Sequence, residues 1–252
     1  MKHTSALLFL CLAATTAPAA VHTVSNGTTP AQHATIAAAM SAAADGDTIY
    51  ICASHLSYGS FTVTKSLTLI GEGAWPVDGG HAATVGAITF SGASAGSTII
   101  GLFVDPATSS GTTLGTDQIT IQRCRLHQVG IPSAYAVRTT NGSGGHVLRH
   151  NYIVGRIDLD NSAADVLIAN NIIAPWGGQV ALRNSVEPTV LLRNNIFLGP
   201  VTSGHSVSDV SNASFLSNIF MGTGARINEA TVTSCLFNNN LTWQVPGITT
   251  ID

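Results

Sequence analysis

Charge is scarce in this chain of 252 residues: 10 Lys and Arg and 13 Asp and Glu make up 9% of it, against roughly 25% in an average globular protein. Ten scattered cations cannot form the basic stripe that phosphate binding needs, which excludes nucleic acid as a partner. Disorder is excluded as well, because it requires low hydrophobicity with high charge, and 45% of these residues are hydrophobic. No Cys-x-x-Cys pair occurs, and no Cys/His spacing suggests a zinc site. Beyond the first twenty residues no stretch approaches 18 apolar positions, and no membrane span is expected in the mature chain. What remains is 25 glycines and a polar share carried by Ser, Thr, Asn and Gln, a composition suited to stacked strands and turns.

The N-terminus reads as an address. Met1-Lys2-His3, the apolar run Ala6 to Ala14 and the small residues Ala17-Pro18-Ala19 form a secretory signal peptide over residues 1–19, cleaved after Ala19. Leu10 precedes Cys11, which argues against a lipid anchor. The expected location is secreted or at the cell surface. Cleavage leaves Cys52, Cys124 and Cys235, an odd number, read here as small buried apolar residues.

Self-similarity is the most informative feature. The segments Ile119 to Leu126, His146 to Ile153, Val166 to Ile173, Val190 to Phe197, Ala213 to Phe220 and Ala230 to Phe237 share one pattern: apolar, any, polar, Asn or Cys, any, apolar. Its register positions are Cys124, Asn151, Asn171, Asn195, Asn218 and Cys235, with Gly71 and Gly101 extending it upstream. The unequal steps exclude a rigid helical array, whereas a coil of strands can release extra residues as turns. Asn and Gly tolerate the left-handed backbone of a sharp bend. Recurring Asn151, Asn171, Asn195 and Asn218 would then hydrogen-bond along the stack as a ladder. Residues three before and two after the register (Ile168 and Ile173, Leu192 and Phe197, Phe215 and Phe220) would form columns inside. The expected fold is all-β, a right-handed parallel β-helix of about eight to nine coils over residues 20–252, with a strand over Asp47 to Cys52 beginning the first.

The entry segment, Thr35 to Ile51 followed by Ser57 to Gly73, resembles the opening of bacterial right-handed parallel β-helix repeat proteins of the pectin-lyase-like superfamily, and the resemblance extends over nearly the whole mature chain. It implies a short N-terminal capping helix, which residues 34–44 fit: an Ala-rich stretch with Ile36 and Met40 one turn apart, stopped before Asp45-Gly46. At the other end no helix follows Phe237. The C-terminal end reads either as incomplete, open to a further domain or chain stacking on it, or as closed by Leu241 to Asp252 with Trp243 as plug.

Superfamily members that cleave acidic glycans hold calcium with several carboxylates and use Lys or Arg as base, while related hydrolases use paired Asp. The hydrolase motifs Asn-Thr-Asp, Asp-Asp, Gly-His-Gly and Arg-Ile-Lys are not intact here; Gly145-His146-Val147 and Arg156-Ile157-Asp158 match them in part. The lyase-like candidate is Arg156, Asp158 and Asp160, which strand alternation places on one outer row with Ile157 and Leu159 facing inward. Asp158 and Asp160, with Asn161, are the candidate ligands of a Ca2+ ion, and Arg138 and Arg183 would lie on adjacent coils. A second outer row, Gln122, Arg149, Ala169, Arg193, Leu216 and Thr233, sets Arg149 and Arg193 two coils apart, a spacing compatible with gripping a glycan. His150 stands where neighbouring coils have Asn170 and Asn194 and reads as a turn residue.

The leading expectation is a secreted or cell-surface module without catalysis that binds carbohydrate or acts as an adhesin-like scaffold, with no cofactor. Alternatives are a calcium-dependent polysaccharide lyase acting on acidic glycans and a structural spacer of a longer surface protein.

Overall fold

The computed structural model describes residues 18–75, 80–106, 110–129, 134–159, 165–174, 182–184, 189–198, 207–211, 213–221, 232–233 and 236–243. The chain winds as a parallel β-solenoid whose strands stack into three sheets, one of ten strands and two of eight, with every pairing parallel to the strand one coil away. The described residues form seven complete three-strand turns. The expected eight to nine coils counted incomplete turns at the two ends as whole ones. The solenoid also starts earlier than Asp47: Val21–Val24 forms the first strand of the ten-stranded sheet and pairs with Thr48–Ile51.

Strand alternation supplies the core. Ile168, Leu192 and Phe215 align coil upon coil and are fully buried, as are Ile173, Phe197 and Phe220. Where these columns turn aromatic, the rings stack: Phe197 on Phe220 at 4.8 Å and Phe215 on Phe237 at 4.6 Å. Such pairs add about 0.5–1.5 kcal/mol each beyond burial. One end is covered by a helix, Ile36–Ala42. The Thr35 hydroxyl caps it by accepting from the Ala38 N–H, Ile36 and Ala39 are buried, and the Lys65 ammonium donates to the carbonyls of Met40, Ser41 and Ala43 at its far end.

The Asn ladder runs through the interior. Asn151, Asn171, Asn195 and Asn218 are buried, and each Oδ1 accepts the backbone N–H of the ladder residue one coil before it, at 2.9–3.0 Å. From Asn151 onward the side-chain amide donates to the next rung as well, at 3.0–3.1 Å. The left-handed residue is not the ladder Asn but its predecessor: Arg123, His150, Asn170, Asn194, Ser217 and Asn239 have φ between 53° and 57°. Gly101, with φ of 67°, belongs to that preceding column. Gly71 is small for another reason, since a Cβ there would lie 2.6 Å from the Gly101 carbonyl oxygen. The last rung is Asn240 and not Cys235, which lies outside the described residues. Asn240 Oδ1 accepts both donors of Asn218, and Leu216 is therefore followed by Asn238, not Thr233.

At the top of the ladder Cys124 takes a rung with a thiol. Its Sγ approaches the Ile99 carbonyl at 3.9 Å, as the Asn151 amide approaches that of Ile121. Burial pushes the Cys124 thiol up to about 12. Native protein is therefore expected to leave Cys124 unlabelled by iodoacetamide at pH 8, with labelling appearing on unfolding in urea; rapid native labelling seen by peptide mass spectrometry would contradict this.

Candidate functional site

From Gly101 onward each coil bends between the ten-stranded sheet and the sheet that includes Tyr152–Val154 at the left-handed residue, and this bend creates a corner. Buried Asn rungs fix the bend from inside, so the left-handed residue must turn outward. Arg123, His150, Asn170, Asn194, Ser217 and Asn239 are all exposed and form a polar column with one residue per strand spacing, about 4.8 Å. His150 Nε2 and Asn170 Nδ2 are 3.3 Å apart along it.

Beside this column the outer face of the neighbouring sheet is aromatic at its upper end. Phe103, Arg125, Tyr152 and Ile172 align in register. Trp75, from the loop after Thr68–Gly71, comes across them: its ring lies 5.4 Å from that of Tyr152, and the Arg125 guanidinium carbon sits 4.7 Å from the Trp75 centroid and 4.5 Å from that of Phe103. This cation–π sandwich holds Trp75 while leaving it 52% exposed. Trp75, Tyr152, Ile172, His150, Asn151 and Asn170 line an open cleft of about 550 Å³. An exposed Trp75 ring over a half-buried Tyr152 and a column of amide and imidazole groups converge there, the pattern of a site with an apolar floor and a few orienting polar groups.

Sequence reasoning missed Trp75 and Tyr152. Neither carries a local signal, and Trp75 falls outside the repeat; the one clue was His150 in the turn column. Arg149 and Arg193 lie in one register row of the ten-stranded sheet with Ala169 between them, and Ala169 is buried. Arg149 is exposed, and its Nε donates to Gln122 Oε1 at 2.9 Å.

The Arg156 row falls elsewhere, on the third sheet. Ile157 and Leu159 do face inward, fully buried. Asp158 aligns with Arg138 on one side and Arg183 on the other. It is covered rather than open to solvent, 7% exposed, and pairs with Arg156 at 3.4 Å, whose guanidinium lies over the Tyr135 ring at 4.3 Å. Asp160 and Asn161 lie outside the described residues, as does the side chain of Arg183. Among the described residues no three His, Cys, Asp or Glu side chains are grouped to hold a metal ion.

Compared with protein-family models, curated proteins and solved structures, the chain matches none.

Proposed function

We propose that the protein is a secreted or cell-surface module of the parallel β-helix type, related to the pectin-lyase-like superfamily, that binds carbohydrate along the corner of its coil and acts as an adhesin-like scaffold without catalysis. The observation that carries this reading is the Trp75–Tyr152 pair, with Trp75 exposed and braced by Arg125 and Tyr152 half-buried beneath it, next to the polar column of His150, Asn170 and Asn194. Pyranose rings have apolar C–H faces that stack on aromatic rings and hydroxyl edges that hydrogen-bond to amides and imidazoles. The strand spacing of about 4.8 Å is close to the length of one pyranose unit, so an extended glycan could meet a polar group at each sugar. Arg149 and Arg193, on the adjoining face, border the same corner.

Calorimetric titration of the folded protein against neutral and acidic oligosaccharides tests the reading. Trp75→Ala and Tyr152→Ala are each expected to weaken binding at least about tenfold, with the circular dichroism spectrum unchanged. Silence across the panel, or binding indifferent to both changes, would sink it.

A lyase acting through Arg156, Asp158 and Asp160 is the second reading, supported by the register that lines up Arg138, Asp158 and Arg183. It predicts unsaturated, ultraviolet-absorbing products from acidic glycans in calcium, lost in Asp158→Ala.

A further inference from the structure

We propose that the protein is processed between Ala19 and Ala20 and that Asp47 is the built receptor for the α-ammonium group so released, locking the first strand of the solenoid. The inference goes beyond glycan binding and rests on the reading of residues 1–19 as an export signal.

Three observations converge on it. The Ala20 backbone nitrogen donates to Asp47 Oδ1 at 2.7 Å, so the atom that cleavage converts from amide to amine already lies against a carboxylate. Asp47 is itself positioned by the fold: it is 7% exposed, its Oδ2 accepts the Ala44 N–H at 2.7 Å, and His22 Nε2 lies 3.2 Å from the same oxygen. These bonds hold its carboxyl below the usual carboxylate range, the Ala44 and Ala20 amides first. Lastly, Ala20 is the point where the chain enters the sheet. Its carbonyl accepts the Thr48 N–H at 2.8 Å and Val21–Val24 follows directly, whereas Pro18, Ala19 and Ala20 are exposed and within reach of a peptidase.

The chemistry is a hydrolysis. Water, activated by an export-associated signal peptidase, adds across the Ala19–Ala20 peptide bond, leaving a carboxylate on Ala19 and an ammonium on Ala20. The bond from a neutral N–H to a carboxylate becomes an ion pair between an ammonium and that carboxylate, with charge on both partners. An uncleaved chain keeps the weaker bond, so processing itself tightens the end of the solenoid.

The sign of the pH effect is fixed. An α-amino group has an ordinary pKa of about 7.7–8.0, and pairing with Asp47 raises it. The added stability is therefore fully present below about pH 7.7 and lost as pH rises through the raised value. His22 and His33, in contact with one another at 3.4 Å, and Asp45 and Lys65 on the adjoining turns are the other ionisable groups facing this point. All four are common to the three forms compared below.

The experiment compares a chain starting at Ala20 with a free amine, the same chain Nα-acetylated, and a chain carrying Gly-Ser before Ala20. At pH 7 the free-amine form is expected to melt about 2–4 °C higher than the other two. Its Val21–Val24 amides should exchange with deuterium on the order of tenfold more slowly. Both differences should shrink towards pH 10 and vanish in an Asp47→Asn background. Equal melting and exchange in the three forms would overturn the capture. Intact mass of chain exported from cells tests the cleavage itself: a product beginning at Ala20 supports it, and one beginning elsewhere overturns it whatever the melting data.

Discussion

Replacing Asn195 with leucine is expected to destabilise the protein by at least about 3 kcal/mol, measured by urea denaturation. The side chains are similar in size, so the loss does not come from a cavity. Asn195 Oδ1 accepts the Asn171 N–H and the Asn171 amide, each at 3.0 Å, and its own amide donates to the Ile168 carbonyl at 2.9 Å and to Asn218 Oδ1 at 3.0 Å. Leucine can satisfy none of these, and four groups lose a partner in a site from which water is excluded. A buried group left unsatisfied costs about 1–3 kcal/mol. Because a solenoid is stabilised by contacts between neighbouring coils, hydrogen exchange should place the loss around Ile168, Asn171 and Asn218. Asn170, one residue from the ladder, is the control. It is exposed with φ of 57°, glycine takes that conformation readily, and Asn170→Gly should change stability by less than about 1 kcal/mol. Comparable losses in the two variants would refute the ladder as the source of stability.

The second large effect is expected on acidification, through His146. This residue stands one position before Val147, in line with buried Val166 and Val190, so an imidazole occupies an aliphatic column and is 1% exposed. Its Nδ1 accepts the Ile119 N–H at 3.3 Å, its Nε2 meets the Ser143 hydroxyl at 3.2 Å, and Ser143 donates onward to the Leu114 carbonyl at 2.6 Å. A proton on Nδ1 would face a donor. Burial pulls its pKa down to about 4, partly opposed by the charge of Asp117. The folded value lies below the unfolded value of about 6.5, so the unfolded chain takes up a proton that the folded chain refuses. Stability is full above about pH 6.5 and falls as pH drops towards 4, by about 3 kcal/mol. Urea midpoints followed from pH 7 to pH 4 should show this slope in the wild type and a flatter one in His146→Gln. Parallel slopes would place the acid sensitivity elsewhere.

How much of this was legible depended on whether a feature repeats. The ladder of Asn151, Asn171, Asn195 and Asn218 and the inward columns could be read because each coil states them again in the same local order. The left-handed residue was read one position late, since Asn at two successive positions (170–171 and 194–195) leaves the two roles indistinguishable without a backbone. The last coil was misassigned for a related reason. Cys235 matched the spacing, but only an amide such as Asn240 offers an oxygen to both donors of Asn218. Trp75 had no repeat to belong to.

The amino-acid order alone determined that the chain coils, which side chains turn inward and which residue types hold the bend, because these follow from the two-residue alternation of strands and from the hydrogen-bonding capacity of Asn, both local properties. Tertiary structure decided what meets on the outside. Coils of unequal length bring Phe103, Arg125 and Tyr152 into one row, and only the path of an irregular loop brings Trp75 across them. The alignment of outer side chains depends on the summed lengths of the intervening turns and on the packing that closes each coil, and neither is stated by any one segment of the sequence.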